Sequence, residues 1–227
     1  MRLLVLEHEE QAPAALLEDW ARRRGIPTLT LRVPELELWP RAVDGDVVVS
    51  LGSDASVHAS SEPWIDREVR YLRDAHDAGV PILGICFGAQ ALARALGGEV
   101  SRAPRLTPEW TSVDSPDPEL IPPGPGFRWH EDIFTLPPGA RDLGRAGDVP
   151  LAFAHGASIG VQFHPEVTGE IAKGWIEGAR RELADRSIDE RDLRREIDSL
   201  ASGAPARAHD LFDRIAARWA AQRGRPT

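Results

Sequence analysis

The chain has 227 residues, 42% apolar and 28% charged, with a formal net charge of −9. This is an ordinary globular composition, and its acidity argues against nucleic acid or an anionic membrane surface as a partner. No apolar run approaches the ~18 residues that span a bilayer. The opening MRLLVLEHEEQ turns acidic too early for a signal peptide, and the single cysteine allows no internal disulfide, which suits a reducing cytoplasm. Basic charge is almost all arginine, with Lys173 the one lysine, and alanine and proline abound, as in proteins of high-GC bacterial genomes.

In chain order, RLLVLE (2–7) reads as a buried strand, and Pro13 opens a helix to about Arg24 with Leu16, Leu17 and Trp20 at helical spacing. PTLTLRV and DGDVVVSLGS read as two more strands, the latter running into a Gly/Ser/Asp loop. Residues 62–79 form a helix with Pro63 in its first turn, a stripe of Trp64, Ile65, Val69 and Leu72, and Gly79 at its end. VPILGI is a short, wholly apolar strand, as at the centre of a parallel sheet, and FGAQALARALGG is a helix closed by Gly97 and Gly98. Strands alternate with helices to about residue 100, which predicts an α/β doubly wound, mostly parallel sheet. Residues 101–150 are rich in Pro, Gly and Asp, with strand-like pieces near 109–114, 127–129 and 141–146, and read as an antiparallel edge with long surface loops. PLAFAHGASIGVQFHPEV reads as a hairpin turning at HG or GA. From about Thr168 the pattern is helical, and in RSIDERDLRREIDSLA the apolar positions are Ile188, Leu193, Ile197 and Leu200. The expected organisation is an α/β domain over 1–180 and a helical C-terminal extension over 181–227 packed on it.

The one cysteine, Cys86, lies between Gly84 and Gly88 where a strand passes into a helix. A strand, a tight Gly-x-Cys-x-Gly turn and a helix form a nucleophile elbow. Its turn strains the middle residue and lifts the side chain above the C-terminal edge of the sheet, with the helix N-terminus favouring a thiolate and a developing oxyanion. The plainer alternative is a small cysteine buried in a packed turn. A thiol nucleophile needs a base and the base an orienter. In GVQFHPE, His164 precedes Glu166 by two positions, so in extended chain both side chains point one way, and Pro165 stiffens the pair. A turn with a helix-capping glutamate is the alternative. Spacing does not single out His164, because His8 has Glu10 and His130 has Asp132 at the same offset. His8 follows the first strand, yet its surroundings EHEEQ read more simply as a solvated loop.

GICFGAQALARALGG together with GVQFHPE resembles the class I, triad-type glutamine amidotransferase family, specifically its GMP synthase glutaminase-like members, over most of residues 1–180. The resemblance implies a flavodoxin-like sheet and a triad of Cys86, His164 and Glu166 that attacks the side-chain amide of glutamine and releases ammonia. It implies that Gln90 contacts substrate and that the Phe87 N–H forms half of an oxyanion hole. SLGSDASV matches the loop that supplies the other half, with Gly52 on the first glycine of the family's Gly-Gly-Pro and Ser53 in place of the second. WHEDIFTLPPGA also looks like a family segment near the site, in which hydrogen bonding is the simpler role for His130 and Asp132. LTPEWTSV keeps Trp110 of a family element but has Thr107 where its glutamate would fall and Glu109 displaced, a departure that bears on substrate specificity. The resemblance calls for no cofactor, and no metal-ligand cluster is visible. No Walker A loop surrounds Lys173, so either a separate synthetase subunit binds this chain and takes the ammonia, or the chain acts alone. A γ-glutamyl peptidase using the same triad on another γ-glutamyl amide is the alternative, a catalytically silent binding module a third reading, and an oligomer is compatible with all three. The helices from about Arg181 read as packing against the domain or as a docking surface.

Overall fold

The computed structural model describes residues 1–43, 46–58, 62–103, 106 and 108–223. The first half alternates strand and helix: β1 (Arg2–Glu7), α1 (Ala15–Arg23), β2 (Thr28–Arg32), β3 (Asp46–Ser50), α2 (Pro63–Asp77), β4 (Ile82–Ile85) and α3 (Phe87–Ala95). The second half carries β5 (Val100–Arg102), β6 (Glu109–Val113), β7 (Gly124–Arg128), β8 (Asp132–Phe134), β9 (Arg141–Ala146), β10 (Val149–His155) and β11 (Ser158–Val161). Four helices follow: α4 (Gly169–Gly178), α5 (Arg180–Asp185), α6 (Glu190–Ala201) and α7 (Ala204–Arg223).

Seven strands form one sheet in the order β2-β1-β3-β4-β11-β10-β9. The five from β2 to β11 are parallel, and β10 and β9 continue antiparallel. The inner strands are apolar without alternation because both faces are covered. Leu3 and Val5 of β1 and Val47 and Val49 of β3 face a core shared with α1 and α7, whereas Leu4, Leu6, Val48 and Ile82 face α2 and α3. Helices on both faces make the sheet doubly wound, as the alternation predicts.

Three features depart from the sequence reading. Helix α1 starts two residues after Pro13, at Ala15, because its first hydrogen bonds run from the Leu17 and Glu18 N–H groups to Ala14 O. The strand-like pieces of the middle segment are β6, the end of β7 and β9, and β9 lies on the antiparallel sheet edge as expected, but β6–β7 and β5–β8 pair off as two small antiparallel sheets of their own. Ile188 precedes α6 and packs against the apolar cluster it helps to form, while Leu193 and Ile197 carry the buried stripe of α6. These two join Leu106, Phe127, Val167, Ala172, Ile176 and Leu183 in a third apolar cluster beside the sheet. No described helix is long and apolar enough to cross a membrane.

Candidate active site

Four adjacent parallel strands, β1, β3, β4 and β11, deliver His8, Gly52 and Ser53, Cys86 and His164 just beyond their C-terminal ends. Open α/β sheets hold ligands at this edge.

The turn between β4 and α3 holds Cys86 at φ 51°, ψ −107°, a conformation disfavoured for an L-residue. Two backbone bonds pin it: its N–H donates to Val161 O at 2.8 Å, and its carbonyl accepts from the Gln90 N–H at 3.1 Å. The flanking glycines are needed for space. A Cβ on Gly88 would lie 2.1 Å from Ser50 O, and one on Gly84 would lie 2.5 Å from Gly88 O, so helix and strands meet backbone to backbone. The N-terminus of α3 begins at the cysteine, where the helix dipole favours negative charge.

His164 lies past the end of β11 and is held by its own N–H, which donates to Phe127 O at 2.7 Å. Its Nδ1 is 2.8 Å from Glu166 Oε1, and both side chains are almost wholly buried. That bond leaves Nε2 as the open ring nitrogen. Burial alone would lower the pKa of the imidazole. The charges of Cys86 and Glu166 and the hydrogen bonds to both outweigh it and hold His164 well above its ordinary value. The pair is tied to α1 as well, because the Leu16 N–H donates to Glu166 O at 2.9 Å.

Gly52, Ser53, Cys86, Gln90 and His164 line one cleft of about 600 Å³. Gly52 lies against the triad-like cluster: a Cβ there would be 2.9 Å from His164 Cε1 and 4.0 Å from Cys86 Cβ. Ser53 Oγ donates to Glu9 at the cleft wall. Gln90 is buried and donates from Nε2 to Asp132 O at 2.9 Å. Phe87 points its ring away, against His8 and Trp64, so that only its backbone is left for the site. His130 and Asp132 line the same cleft. Asp132 accepts from Ser56 Oγ, and burial, with Arg128 and His164 nearby, pushes the His130 imidazole down to about 3, which keeps it neutral. Phe127, Trp129 and Trp175 wall the His164 side, and Trp175 Nε1 donates to Gln11 O at 2.7 Å. Trp110 packs on Phe127 with the two rings tilted by 42°, under Arg207, and Glu109 pairs with Arg128. Thr107 lies outside the described residues.

One sequence expectation is corrected. His8 is not in a solvated loop: it is 4% exposed, and its partner is Glu68 of α2, not Glu10. The acidic string EHEEQ misleads because only His8 of that run turns inward. Local spacing does not single out Glu68 or Gln162. Glu68 shares the buried stripe of Ile65, Leu72 and Ala75, and a carboxylate on an apolar face signals a buried partner. Gln162 Nε2 is 3.7 Å from Cys86 Sγ, and its position two residues before His164 was the available hint.

Fold and site together define a class: an open α/β protein that raises a strained cysteine beside a buried histidine–glutamate pair. The family model of class I glutamine amidotransferases matches residues 47–176, more than half of the sequence. The chain belongs to the class I glutamine amidotransferase family of enzymes. Among curated relatives, the glutamine-hydrolysing GMP synthase of Aeropyrum pernix is 35% identical over 187 residues, covering 73% of this chain and 36% of that protein. That of a Nostoc species is 34% identical over 152 residues, covering 63% and 27%. The chain thus spans only about a quarter to a third of the length of these relatives. A solved glutamine amidotransferase from Thermotoga maritima superposes with a TM-score of 0.84 at 27% identity, covering 95% of this chain and 97% of that one.

Proposed function

We propose that this enzyme hydrolyses the γ-amide of L-glutamine with Cys86 as nucleophile, His164 as acid and base and Glu166 as its orienter. The observation that carries the reading is the strained elbow cysteine sharing one cleft with a buried imidazole whose Nδ1 is held by a buried carboxylate. The thiol proton passes to His164 Nε2, and Cys86 Sγ bonds to the amide carbon. The resulting oxyanion accepts from the backbone N–H groups of Phe87 and Ser53, each such donor being worth ~3 kcal/mol in comparable sites. His164 returns the proton to the amide nitrogen, the C–N bond breaks, and ammonia leaves a γ-glutamyl thioester. Water, deprotonated by His164, attacks the thioester and releases glutamate and the free thiol. Gln90 bounds the substrate end of the cleft. The glutamine-hydrolysing GMP synthases among the relatives favour a synthetase as recipient of the ammonia.

A second reading is hydrolysis of a larger γ-glutamyl amide. The cleft favours it: about 600 Å³ is in the range that holds drug-sized ligands rather than one amino acid. Ammonia release from L-glutamine, measured beside amine release from γ-glutamyl dipeptides with Cys86→Ala as control, decides. Ammonia from glutamine, abolished in the variant, is the expected outcome. Cleavage of the dipeptides alone would transfer the assignment to the peptidase reading.

A further inference from the structure

His8 and Glu68 form a second buried histidine–glutamate pair that the proposed reaction leaves unused. His8 Nε2 is 2.8 Å from Glu68 Oε2, with both side chains fully buried. The other carboxylate oxygen, Oε1, accepts from Ser50 Oγ at 2.6 Å. On its far side, His8 Nδ1 is 3.0 Å from Gly52 O. A carbonyl oxygen only accepts, so Nδ1 must carry the proton in that bond. Trp64 stacks on the ring with centroids 5.2 Å apart, and Phe87 meets it edge-on at 4.8 Å. The imidazole therefore has neither room nor a reason to turn.

Among the described residues no peptide bond is cis. In a trans peptide the carbonyl and the following N–H point in opposite directions. With the Gly52 carbonyl held on His8, the Ser53 N–H is directed away from His8, and Ser53 lines the cleft that also holds Cys86. Gly52 is thus caught between two histidines, its oxygen on His8 and its α-carbon against His164. We propose that His8 is a positioning residue: anchored by Glu68, it fixes the Gly52–Ser53 peptide so that the Ser53 N–H meets the oxyanion that forms above Cys86. This role rests on the hydrolase reading above. His8 also buttresses Phe87, the residue whose own N–H is the other donor. Burial would lower the pKa of this imidazole, but the charge and hydrogen bond of Glu68 and the bond to Gly52 raise it overall, in keeping with a ring that donates from both nitrogens.

The test separates positioning from packing. In His8→Asn the side-chain amide reaches the place of Nδ1 and still donates to Gly52, whereas in His8→Gln it reaches the place of Nε2 and does not. With L-glutamine, His8→Gln should lose kcat about tenfold or more, with KM and the rate of Cys86 alkylation by iodoacetamide unchanged within about twofold. Alkylation forms no oxyanion, so it reports the nucleophile alone. His8→Asn should recover most of the lost kcat. Equal losses in both variants, or a parallel fall in alkylation, would reduce His8 to a core residue. The wild-type protein offers a check independent of variant folding: ¹⁵N NMR should find Nδ1 of His8 protonated at neutral pH, and a bare Nδ1 overturns the proposal. A wild type silent on every γ-glutamyl amide overturns the hydrolase reading and this role together, whereas an active wild type with an indifferent His8→Gln overturns this role alone.

Discussion

At His164, burial and charge act against each other, and charge prevails through two neighbours that can be removed singly. Cys86→Ala takes away one source of the upward shift and Glu166→Gln the other. Each variant should titrate His164 at lower pH than wild type, followed by the ¹⁵N shifts of the ring, and an unmoved titration would show that the thiol and the carboxylate do not reach the imidazole electrostatically. The two histidine–glutamate pairs differ in how far they can be read from sequence. His164 and Glu166 are two positions apart, so the extended chain alone brings them together. His8 and Glu68 lie on different elements, sixty positions apart, and only sheet order and the inward face of α2 join them. Local carboxylates even suggested the wrong environment for His8. Gln162 falls between these cases: its strand register is local, but its approach to Cys86 depends on β11 lying beside β4.

Among the elements, the strand–elbow–helix unit was legible because the requirements are backbone requirements met within a few residues. Cys86 needs the strained turn, and Gly84 and Gly88 need to lack side chains. The pairings β5–β8 and β6–β7 were not legible, since their strands are short and bring together Val100 with Phe134 and Glu109 with Arg128 across Pro- and Gly-rich chain. The glycines make a graded prediction. Gly88→Ala drives a methyl group into the Ser50 carbonyl of β3, an unyielding neighbour, and should cost more than the 1–3 kcal/mol of ordinary overpacking or prevent folding. Gly52→Ala meets the edge of the His164 ring instead. It should leave the denaturant midpoint near that of wild type and abolish most amide hydrolysis, and the reverse ranking in urea titrations would contradict this account of the contacts.

For the whole molecule, the last helix is part of the main core. Phe212, Ile215 and Trp219 of α7 lie in the same apolar cluster as β1 and β3, and Asp213 binds both Trp20 Nε1 of α1 and Arg24 just past its end. Its amphipathic pattern was readable, but nothing in it named α1 as the surface it covers. Phe212→Ala should destabilise the entire protein by about 3–5 kcal/mol in equilibrium unfolding, while a helix that merely rested on a finished domain would detach at little cost to the rest. The strand order in the sheet also has a consequence in time. β4, with Cys86 at its end, leaves the ribosome nearly eighty residues ahead of His164, and β11 must insert beside β4 before thiol and imidazole meet. At 5–20 residues per second that interval is roughly 4–16 s. On the proposed mechanism the nascent chain carries throughout it a thiol without its base, so its reactivity toward amides awaits the insertion of β11.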